Sequence, residues 1–243
     1  MKVAAISDVH VKIPYDDADK ALCRFLTHSE VLRSDYVVLL GDIFDLMCGP
    51  HPEYIQKFSH IFDLIDQLRL NGVKVMYFEG NHDVHLERLF KMRWPNNEVI
   101  LSQIPIIEEI EGKSYYFSHG DEHEVDNLNY QKYKSLLLSP ALRFVANSLM
   151  PYLLLNYLGD RASKISRKRG SRDYVEETVK TRFRNGVRET TQGKYNFILG
   201  GHSHVKDSFE LSKDSTYLNN GYALKSKTFL LIENHTPSFP LLY

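Results

Sequence analysis

The chain has 243 residues, a length that one large α/β domain fills more readily than two small ones. Hydrophobic residues make up 43% and charged residues 25%, which excludes a disordered, collagen-like or coiled-coil protein. Thirty basic and 31 acidic residues give a net charge of −1, so we expect no nucleic-acid partner. The two cysteines, Cys23 and Cys48, are too few for a disulfide framework and predict reduced thiols in the cytoplasm.

Two apolar stretches were compared with the patterns of a signal peptide and of a membrane-spanning helix. The run before Asp8 is too short for a signal peptide. The stretch 136–158 contains Pro140, Arg143, Asn147 and Pro151, which argues against a membrane-spanning helix. We therefore expect a soluble, cytoplasmic protein.

The first 80 residues alternate between apolar runs and amphipathic segments. Residues 2–6, 36–40 and 73–78 predict strands, and helices are predicted at 16–28 and 52–70 between them. This β-α-β-α-β order favours parallel strands joined by helical crossovers.

The second half of the chain has a different pattern of predicted elements. It predicts a hairpin from 104–110 and 114–117, a strand at 195–199, and a closing meander from 209–211, 216–218 and 228–233. Residues 126–185 are predicted to be helical. We interpret them as a lid-like insertion on a single domain that spans residues 1–243.

Five short polar clusters each follow a predicted strand. They are Asp8-Val9-His10, Gly41-Asp42-Ile43-Phe44-Asp45, Gly80-Asn81-His82-Asp83, Ser118-His119-Gly120-Asp121 and Gly200-Gly201-His202-Ser203-His204. Because ligands sit outside the carboxyl ends of the strands in α/β sheets, we expect the clusters to converge. Each cluster alone is compatible with a turn or a helix cap. Together they hold five of the eleven histidines, beside carboxylates or Asn, and this combination predicts a metal site.

The donor types in these clusters indicate which metals fit. Mixed oxygen and imidazole donors, without Cys, suit Mn²⁺, Fe, Zn²⁺, Co²⁺ or Ni²⁺ better than Ca²⁺. Two Asp, one Asn and four His exceed the needs of one tetrahedral ion and suit two ions that share a carboxylate. Two metals about 3.5–4 Å apart clamp the attacking and leaving oxygens of phosphoryl transfer and acidify water.

The motifs Asp-x-His, Gly-Asp-x-x-Asp, Gly-Asn-His-Asp, His-Gly-Asp and Gly-His-x-His, in this order, resemble the calcineurin-like metallophosphoesterases. The resemblance implies an α/β fold, a two-sheet β-sandwich flanked by helices, with a dimetal site at its edge. It implies that the first metal is held by Asp8, His10, Asp42 and His204. It implies that the second is held by Asp42, Asn81, His119 and His202. The catalytic residues would be His82, which contacts the phosphate and protonates or stabilises the leaving oxygen, and Asp83, which orients His82.

A narrower resemblance is to the UDP-2,3-diacylglucosamine pyrophosphatases of the lipid A pathway. It depends on motif placement, on residues 41–45 and 126–131, and on the helical insertion. It implies hydrolysis of a pyrophosphate to UMP and an acylated sugar 1-phosphate, with Mn²⁺ as the metal and peripheral association with the inner membrane.

The chain departs from that narrower family at one position, because the family has Arg where this chain has His82. Arg clamps phosphate and cannot donate a proton, whereas His can do either. The alternative is therefore a paralogous phosphodiesterase or phosphomonoesterase acting on another lipid-linked or nucleotide substrate. A more remote alternative is a non-catalytic scaffold with the same fold.

The predicted insertion is first apolar and then basic. Residues 136–158 predict either helices packed on the core or a lid that contacts acyl chains or an anionic membrane. Six cations lie within residues 161–172 and predict either a solvated helix face or a site for phosphates or headgroups. The candidate substrate-binding residues are Asn127, Tyr130, Lys164, Arg167 and Lys168.

Overall fold

The structure is a computed structural model that describes residues 1–155, 157 and 175–243. The strands are β1 (Lys2–Ile6), β2 (Tyr36–Leu39), β3 (Met47–Cys48), β4 (Lys74–Phe78), β5 (Asp83–Val84), β6 (Ile100–Ser102), β7 (Ile106–Ile110), β8 (Lys113–Phe117), β9 (Phe197–Gly200), β10 (Lys206–Ser212), β11 (Ser215–Asn220), β12 (Leu230–Glu233) and β13 (Thr236–Ser238). The helices are Asp17–Thr27, Ser29–Leu32, Pro52–Lys57, Ser59–Leu70, Glu87–Arg93, Leu128–Leu137, Pro140–Ser148, Glu176–Thr191 and Ala223–Ser226, with a 3-10 turn at Asp121–His123.

The first sheet has six strands in the order β13-β12-β1-β2-β4-β6. Strands β1, β2, β4 and β6 are parallel, with Val38 of β2 opposite Ala5 of β1 and Met76 of β4. This arrangement confirms the predicted β-α-β-α-β order. Parallel strands joined this way end at the same edge, which is where the polar clusters begin.

The second sheet has five strands in the order β10-β11-β9-β8-β7. The predicted hairpin is confirmed as β7 and β8, which are antiparallel and joined at Glu111-Gly112. Both turn residues have positive φ, the geometry that two-residue hairpin turns favour. The predicted closing meander is wrong in one respect. Strand β12 pairs with β1 of the first sheet, whereas β10 and β11 remain in the second.

The core lies between the two sheets and on both outer faces. Alternate residues of β1, such as Val3 and Ala5, face the second sheet and pack with Phe117 and Leu199. Ala4 and Ile6 point the other way, into the cluster that includes helices Asp17–Thr27 and Ser59–Leu70. Val187 of helix Glu176–Thr191 packs on the outer face of the second sheet. The predicted α/β sandwich flanked by helices is therefore observed.

One predicted helix is divided in the structure. Residues 52–70 form two helices, Pro52–Lys57 and Ser59–Leu70, separated at Phe58. The backbone of Phe58 leaves the helical range, and its buried ring packs 4.8 Å from the ring of Phe44. The apolar periodicity of 52–70 therefore predicted the helical residues but not the break between them.

The described part of the predicted insertion contains the helices Leu128–Leu137 and Pro140–Ser148 and a helical turn at 152–155. Ser139 separates the two helices and caps the second by accepting a hydrogen bond from the Leu142 amide. Among the described residues, no helix combines the length and apolar character needed to cross a bilayer.

Candidate dinuclear metal centre

The five polar clusters converge at the carboxyl ends of β1, β2, β4, β8 and β9. Within them, Asp8, His10, Asp42, His202 and His204 all have φ between 51° and 65°, in the left-handed region. Non-glycine residues adopt this region at an energetic cost, and such residues concentrate at functional sites. Five of the seven predicted ligands therefore have a left-handed backbone.

The first predicted ligand group is assembled around Asp8. Its Oδ1 lies 3.3 Å from Nε2 of His204, and that nitrogen lies 3.2 Å from Nε2 of His10. Nε2 of His10 lies 3.9 Å from Oδ2 of Asp42. The ligand atoms of these four residues all lie within 4.8 Å of one another. Asp8 is itself held by the Ser7 hydroxyl at 2.6 Å and by the His202 amide.

The second predicted group shares Asp42. Its Oδ2 lies 3.8 Å from Nε2 of His119. The Oδ1 of Asn81 lies 3.4 Å from that nitrogen and 3.1 Å from Nδ1 of His202. The Nδ1 of His119 donates to the Leu40 carbonyl at 2.9 Å, so its Nε2 is the nitrogen left to face the group. Asp42 lies at the junction of the two groups.

Two glycines let these loops approach closely. Gly41 has φ +82°, and a Cβ there would lie 2.6 Å from Nδ1 of His119. A Cβ on Gly80 would clash with the Oδ1 and backbone nitrogen of Asp42. Glycine at these two positions therefore follows from the packing of the ligand loops against one another.

The charges and donors of the centre fit divalent cations. Burial opposes ionisation of Asp8 and Asp42, but the neighbouring histidines outweigh it and lower the pKa of both carboxyls. Burial lowers the pKa of His10 to about 4, which keeps this ring neutral and its Nε2 able to donate a lone pair. Two carboxylates surrounded by converging imidazole nitrogens form a donor set suited to Mn²⁺, Fe or Zn²⁺.

His82 lies beside the shared carboxylate. Its amide donates to Oδ1 of Asp42 at 2.8 Å, its ring packs edge-on 4.8 Å from that of His10, and its side chain is 26% exposed. The Nδ1 of His82 donates to the Asp45 carbonyl at 2.9 Å and lies 3.5 Å from the Asp45 carboxylate. Burial opposes protonation, but Asp42 and Asp45 outweigh it and raise the pKa of His82 to about 10. In the metal-free chain these two carboxylates therefore favour protonation of the His82 ring.

The role predicted for Asp83 needs correction, because Asp45 is the carboxylate beside the His82 ring. Oδ1 of Asp83 accepts from the amides of Asp42 and Gly80 at 3.0 and 2.7 Å. Oδ2 of Asp83 accepts from the Ile43 amide at 2.8 Å and from the Tyr77 hydroxyl at 2.5 Å. Burial and the charge of Asp42 raise the pKa of Asp83 to about 7. Asp83 thus fixes the backbone of two ligand loops.

Sequence reasoning missed Glu124. Its Oε2 lies 2.9 Å from Nε2 of His202, which leaves Nδ1 of His202 to face the second ligand group. Its Oε1 accepts from Asn127 Nδ2 at 3.0 Å and pairs with Arg182 at 2.9 Å. Burial opposes ionisation of Glu124, but His202, Asn127 and Arg182 lower its pKa. No motif marks Glu124, and its position five residues after His119 was the only available signal.

The candidate substrate-binding residues are placed differently from one another. Asn127 caps helix Leu128–Leu137 by accepting from the Tyr130 amide at 3.0 Å. The Tyr130 hydroxyl donates to Asp121 at 3.0 Å, and its ring lies 4.7 Å from that of His202, so Tyr130 borders the centre. Lys164, Arg167 and Lys168 lie outside the described residues.

The sequence model of the calcineurin-like phosphoesterase family matches residues 1–206. The chain belongs to this family. The resemblance seen in the five motifs is thereby confirmed, together with the fold class and the expectation that the protein is a phosphoesterase hydrolase. The family is metal-dependent, which agrees with the two ligand groups that share Asp42.

Individual proteins are similar to this chain at low sequence identity. This calcineurin-like phosphoesterase is 24% identical over 212 residues to the UDP-2,3-diacylglucosamine hydrolase of Psychromonas ingrahamii, covering 84% of this chain and 81% of that protein. It is 22% identical over 244 residues to the enzyme of the same name from Escherichia fergusonii, covering 98% and 88%. A solved archaeal phosphodiesterase superposes with a TM-score of 0.52 at 13% identity over 99% of both chains, a likeness of fold.

Proposed function

We propose that this phosphoesterase binds two divalent cations, with Mn²⁺ favoured, and hydrolyses the pyrophosphate of UDP-2,3-diacylglucosamine to UMP and the acylated sugar 1-phosphate. The observation that carries the reaction class is the pair of ligand groups sharing Asp42, with His82 beside them. When bound, the ions would supply Lewis-acid activation of water and neutralise charge on the phosphoryl oxygens.

The protein's own contribution to the reaction centres on His82. Its Nδ1 proton is held by the Asp45 carbonyl, so the Nε2 proton is the one available to a substrate oxygen. In the ground state this N–H would bind a phosphoryl oxygen. As the bond between phosphorus and the leaving oxygen breaks, His82 would donate the proton to that oxygen or stabilise its negative charge.

The substrate assignment is supported by the relatives' names and by the surface of the insertion. In the insertion, the side chains of Leu136, Leu149 and Leu153 are 63–80% exposed, and the side chain of Phe144 is 60% exposed. An acyl chain covering such side chains gains about 0.8 kcal/mol for each buried CH₂ group. The insertion would therefore act as a lid for the acyl chains, and the enzyme would work peripherally on the inner face of the cytoplasmic membrane, where acylated substrate resides.

A cleft at the edge of the insertion combines the two chemistries of such a substrate. It measures about 610 Å³ and lies between helices Glu87–Arg93 and Pro140–Ser148. Phe144 offers an apolar wall on one helix, and Arg88 and Lys91 lie on the other, where Lys91 pairs with Glu87 at 2.9 Å. This volume falls in the range of small-molecule sites, so the cleft could receive part of an amphiphilic ligand.

The test is turnover with Mn²⁺ of UDP-2,3-diacylglucosamine, followed by UMP release, with bis-p-nitrophenyl phosphate assayed alongside. Release of UMP supports the proposal. Cleavage of the generic diester without UMP release would contradict the substrate and favour the second candidate, a phosphodiesterase or phosphomonoesterase on another lipid-linked or nucleotide substrate. The observation that favours this candidate is His82 itself, since a proton donor suits a wider range of leaving groups than Arg does. Absence of both activities would contradict the reaction class.

A further inference from the structure

A second group of metal-ligand side chains lies outside the dinuclear centre, where two outer helices meet. Oδ2 of Asp19 lies 2.6 Å from Nε2 of His60. The Cys23 thiol donates to Oδ1 of Asp19 at 3.3 Å. The ligand atoms of the three residues all lie within 4.8 Å of one another. They are not part of the five motifs, and the proposed function does not use them.

The helices bring these residues together for simple geometric reasons. Asp19 and Cys23 are four residues apart on helix Asp17–Thr27 and share one face of it. His60 is the second residue of helix Ser59–Leu70, which packs against Asp17–Thr27 on the first sheet. The ring of Tyr15 stacks on that of His60 at 4.8 Å and limits its orientation. Asp19 is buried, whereas His60 and Cys23 keep contact with solvent, so an ion could enter.

We propose that Asp19, Cys23 and His60 form a third metal site, which binds Zn²⁺ or a similar thiolate-preferring divalent ion with water as the fourth ligand. Carboxylate oxygen, thiolate sulfur and imidazole nitrogen are the three donor types that zinc takes in proteins. The dinuclear centre is built from oxygen and nitrogen donors alone. The two centres therefore differ in selectivity, because Mn²⁺ prefers oxygen and gains little from sulfur.

The two oxygens of Asp19 already face the other two donors, one toward the Cys23 thiol at 3.3 Å and one toward Nε2 of His60 at 2.6 Å. A divalent ion would take the place of the hydrogens that these pairs share. Loading replaces the S–H bond with an S–metal bond and releases the thiol proton to solvent, while His60 binds through Nε2 and keeps its ring proton on Nδ1. The bound ion would also join helix Asp17–Thr27 to helix Ser59–Leu70.

Titration with Co²⁺ tests the site without depending on catalysis. A thiolate–Co²⁺ bond gives a charge-transfer absorption in the near ultraviolet that oxygen and nitrogen ligands do not produce. We expect this band in the wild type, its loss in Cys23→Ser, and its retention in Cys48→Ser. Cys48 is the matched control, because it is the chain's other thiol and burial raises the pKa of both thiols to about 12. Absence of the band in the wild type, or its loss in Cys48→Ser alone, would overturn the proposal.

Thiol alkylation provides a test that needs no variant of Cys23. We expect Zn²⁺ to slow alkylation of Cys23 by roughly tenfold or more while Cys48 reacts as before, and Mn²⁺ to protect neither thiol. His60→Gln should reduce the protection of Cys23. Equal effects of Zn²⁺ on both thiols, or none on Cys23, would contradict the site. Because phosphodiester turnover is not measured, failure here is distinguishable from failure of the proposed function.

Discussion

Oε2 of Glu124 lies 2.9 Å from Nε2 of His202, across 78 residues of sequence. The same carboxylate holds Asn127, at the start of helix Leu128–Leu137, and Arg182, in helix Glu176–Thr191. The first helix lies within the predicted insertion, residues 126–185, and the second begins in it and ends at Thr191. The Glu124 side chain therefore links the orientation of His202, a proposed metal ligand, to two helices. One helix precedes residues 158–174 in the chain and the other follows them.

Removing Glu124 should weaken metal binding. A carboxylate that accepts the second ring N–H of a metal-binding His fixes its tautomer, and loss of such a partner typically costs about 10–100-fold in metal affinity. We expect a loss of this size in Glu124→Ala and a smaller one in Glu124→Gln, measured by titration of chelator-treated protein. Glu122→Ala is the matched control, because Glu122 binds the Tyr116 hydroxyl instead of a ligand. Unchanged affinity in Glu124→Ala would contradict this role.

Substitution of His82 should impair chemistry and leave metal binding intact. We expect His82→Ala to lower kcat by about 10²–10⁴-fold, the usual contribution of a general acid. Metal content should stay at the wild-type value, since His82 contributes a backbone amide to Asp42 and its ring is not among the proposed ligands. Wild-type turnover in His82→Ala would remove the residue from the mechanism.

Substitution of Asp45 should impair catalysis, whereas substitution of Asp83 should lower stability. Asp45→Asn removes the charge beside the His82 ring, and we expect kcat to fall roughly 10-fold to 100-fold, less than on loss of His82 itself. Asp83→Ala leaves the amides of Asp42 and Gly80 without their acceptor. Each unpaired buried donor costs about 1–3 kcal/mol, so the free energy of unfolding should fall by about 3 kcal/mol or more. Denaturant unfolding of both variants, together with kcat, tests whether the two roles are separate. A wild-type free energy of unfolding in Asp83→Ala would contradict the structural role of Asp83.

Shortening the acyl chains of the substrate tests the lid. If the exposed leucines of the insertion contact these chains, deacylated substrate should show a KM raised by orders of magnitude, because each CH₂ group contributes about 0.8 kcal/mol. Hydrolysis of bis-p-nitrophenyl phosphate serves as the control and should not respond to Leu153→Ser, which alters a side chain that is 80% exposed. Equal KM for acylated and deacylated substrate would contradict the lid.

Stability should depend on the protonation of His123, a buried residue whose Nδ1 lies 2.7 Å from the Thr190 hydroxyl. Burial lowers its pKa below 6.5, although Glu122 and Asp121 oppose this shift. The folded chain therefore keeps His123 neutral where the unfolded chain binds a proton. Its contribution to stability is complete above the ordinary pKa of 6.5 and is lost as the pH falls from there through the lower pKa of the folded chain.

His123→Gln removes this titration while keeping a polar partner for Thr190. Between about pH 6.5 and pH 5, urea unfolding of metal-free protein should show a shallower loss of free energy than in the wild type. The difference has an upper limit of about 1.4 kcal/mol per pH unit, the value for one proton. Burial also lowers the pKa of other histidines, such as His51 and His85. Their contributions are the same in both proteins, so they cancel when the pH dependence of the free energy of unfolding is compared between variant and wild type. Parallel slopes would contradict the assignment.

The sequence by itself determined the family, the parallel half of the first sheet and the candidate ligands. Each of these depends on a local pattern: an apolar strand followed by a short polar cluster such as Asp8-Val9-His10 or Gly80-Asn81-His82-Asp83. Parallel strands end at a common edge, so residues that follow strands meet without further information.

The tertiary structure decided what depends on the direction of a side chain or on a distant partner. Asp45, not the adjacent Asp83, reaches the His82 ring, because the β2 loop folds over it and the Asp83 carboxylate turns toward buried amides. Pairing of β12 with β1, and of Glu124 with His202, joins segments far apart in the chain. Such contacts are selected by packing and by the need to pair buried polar groups, neither of which leaves a periodic signal in the sequence.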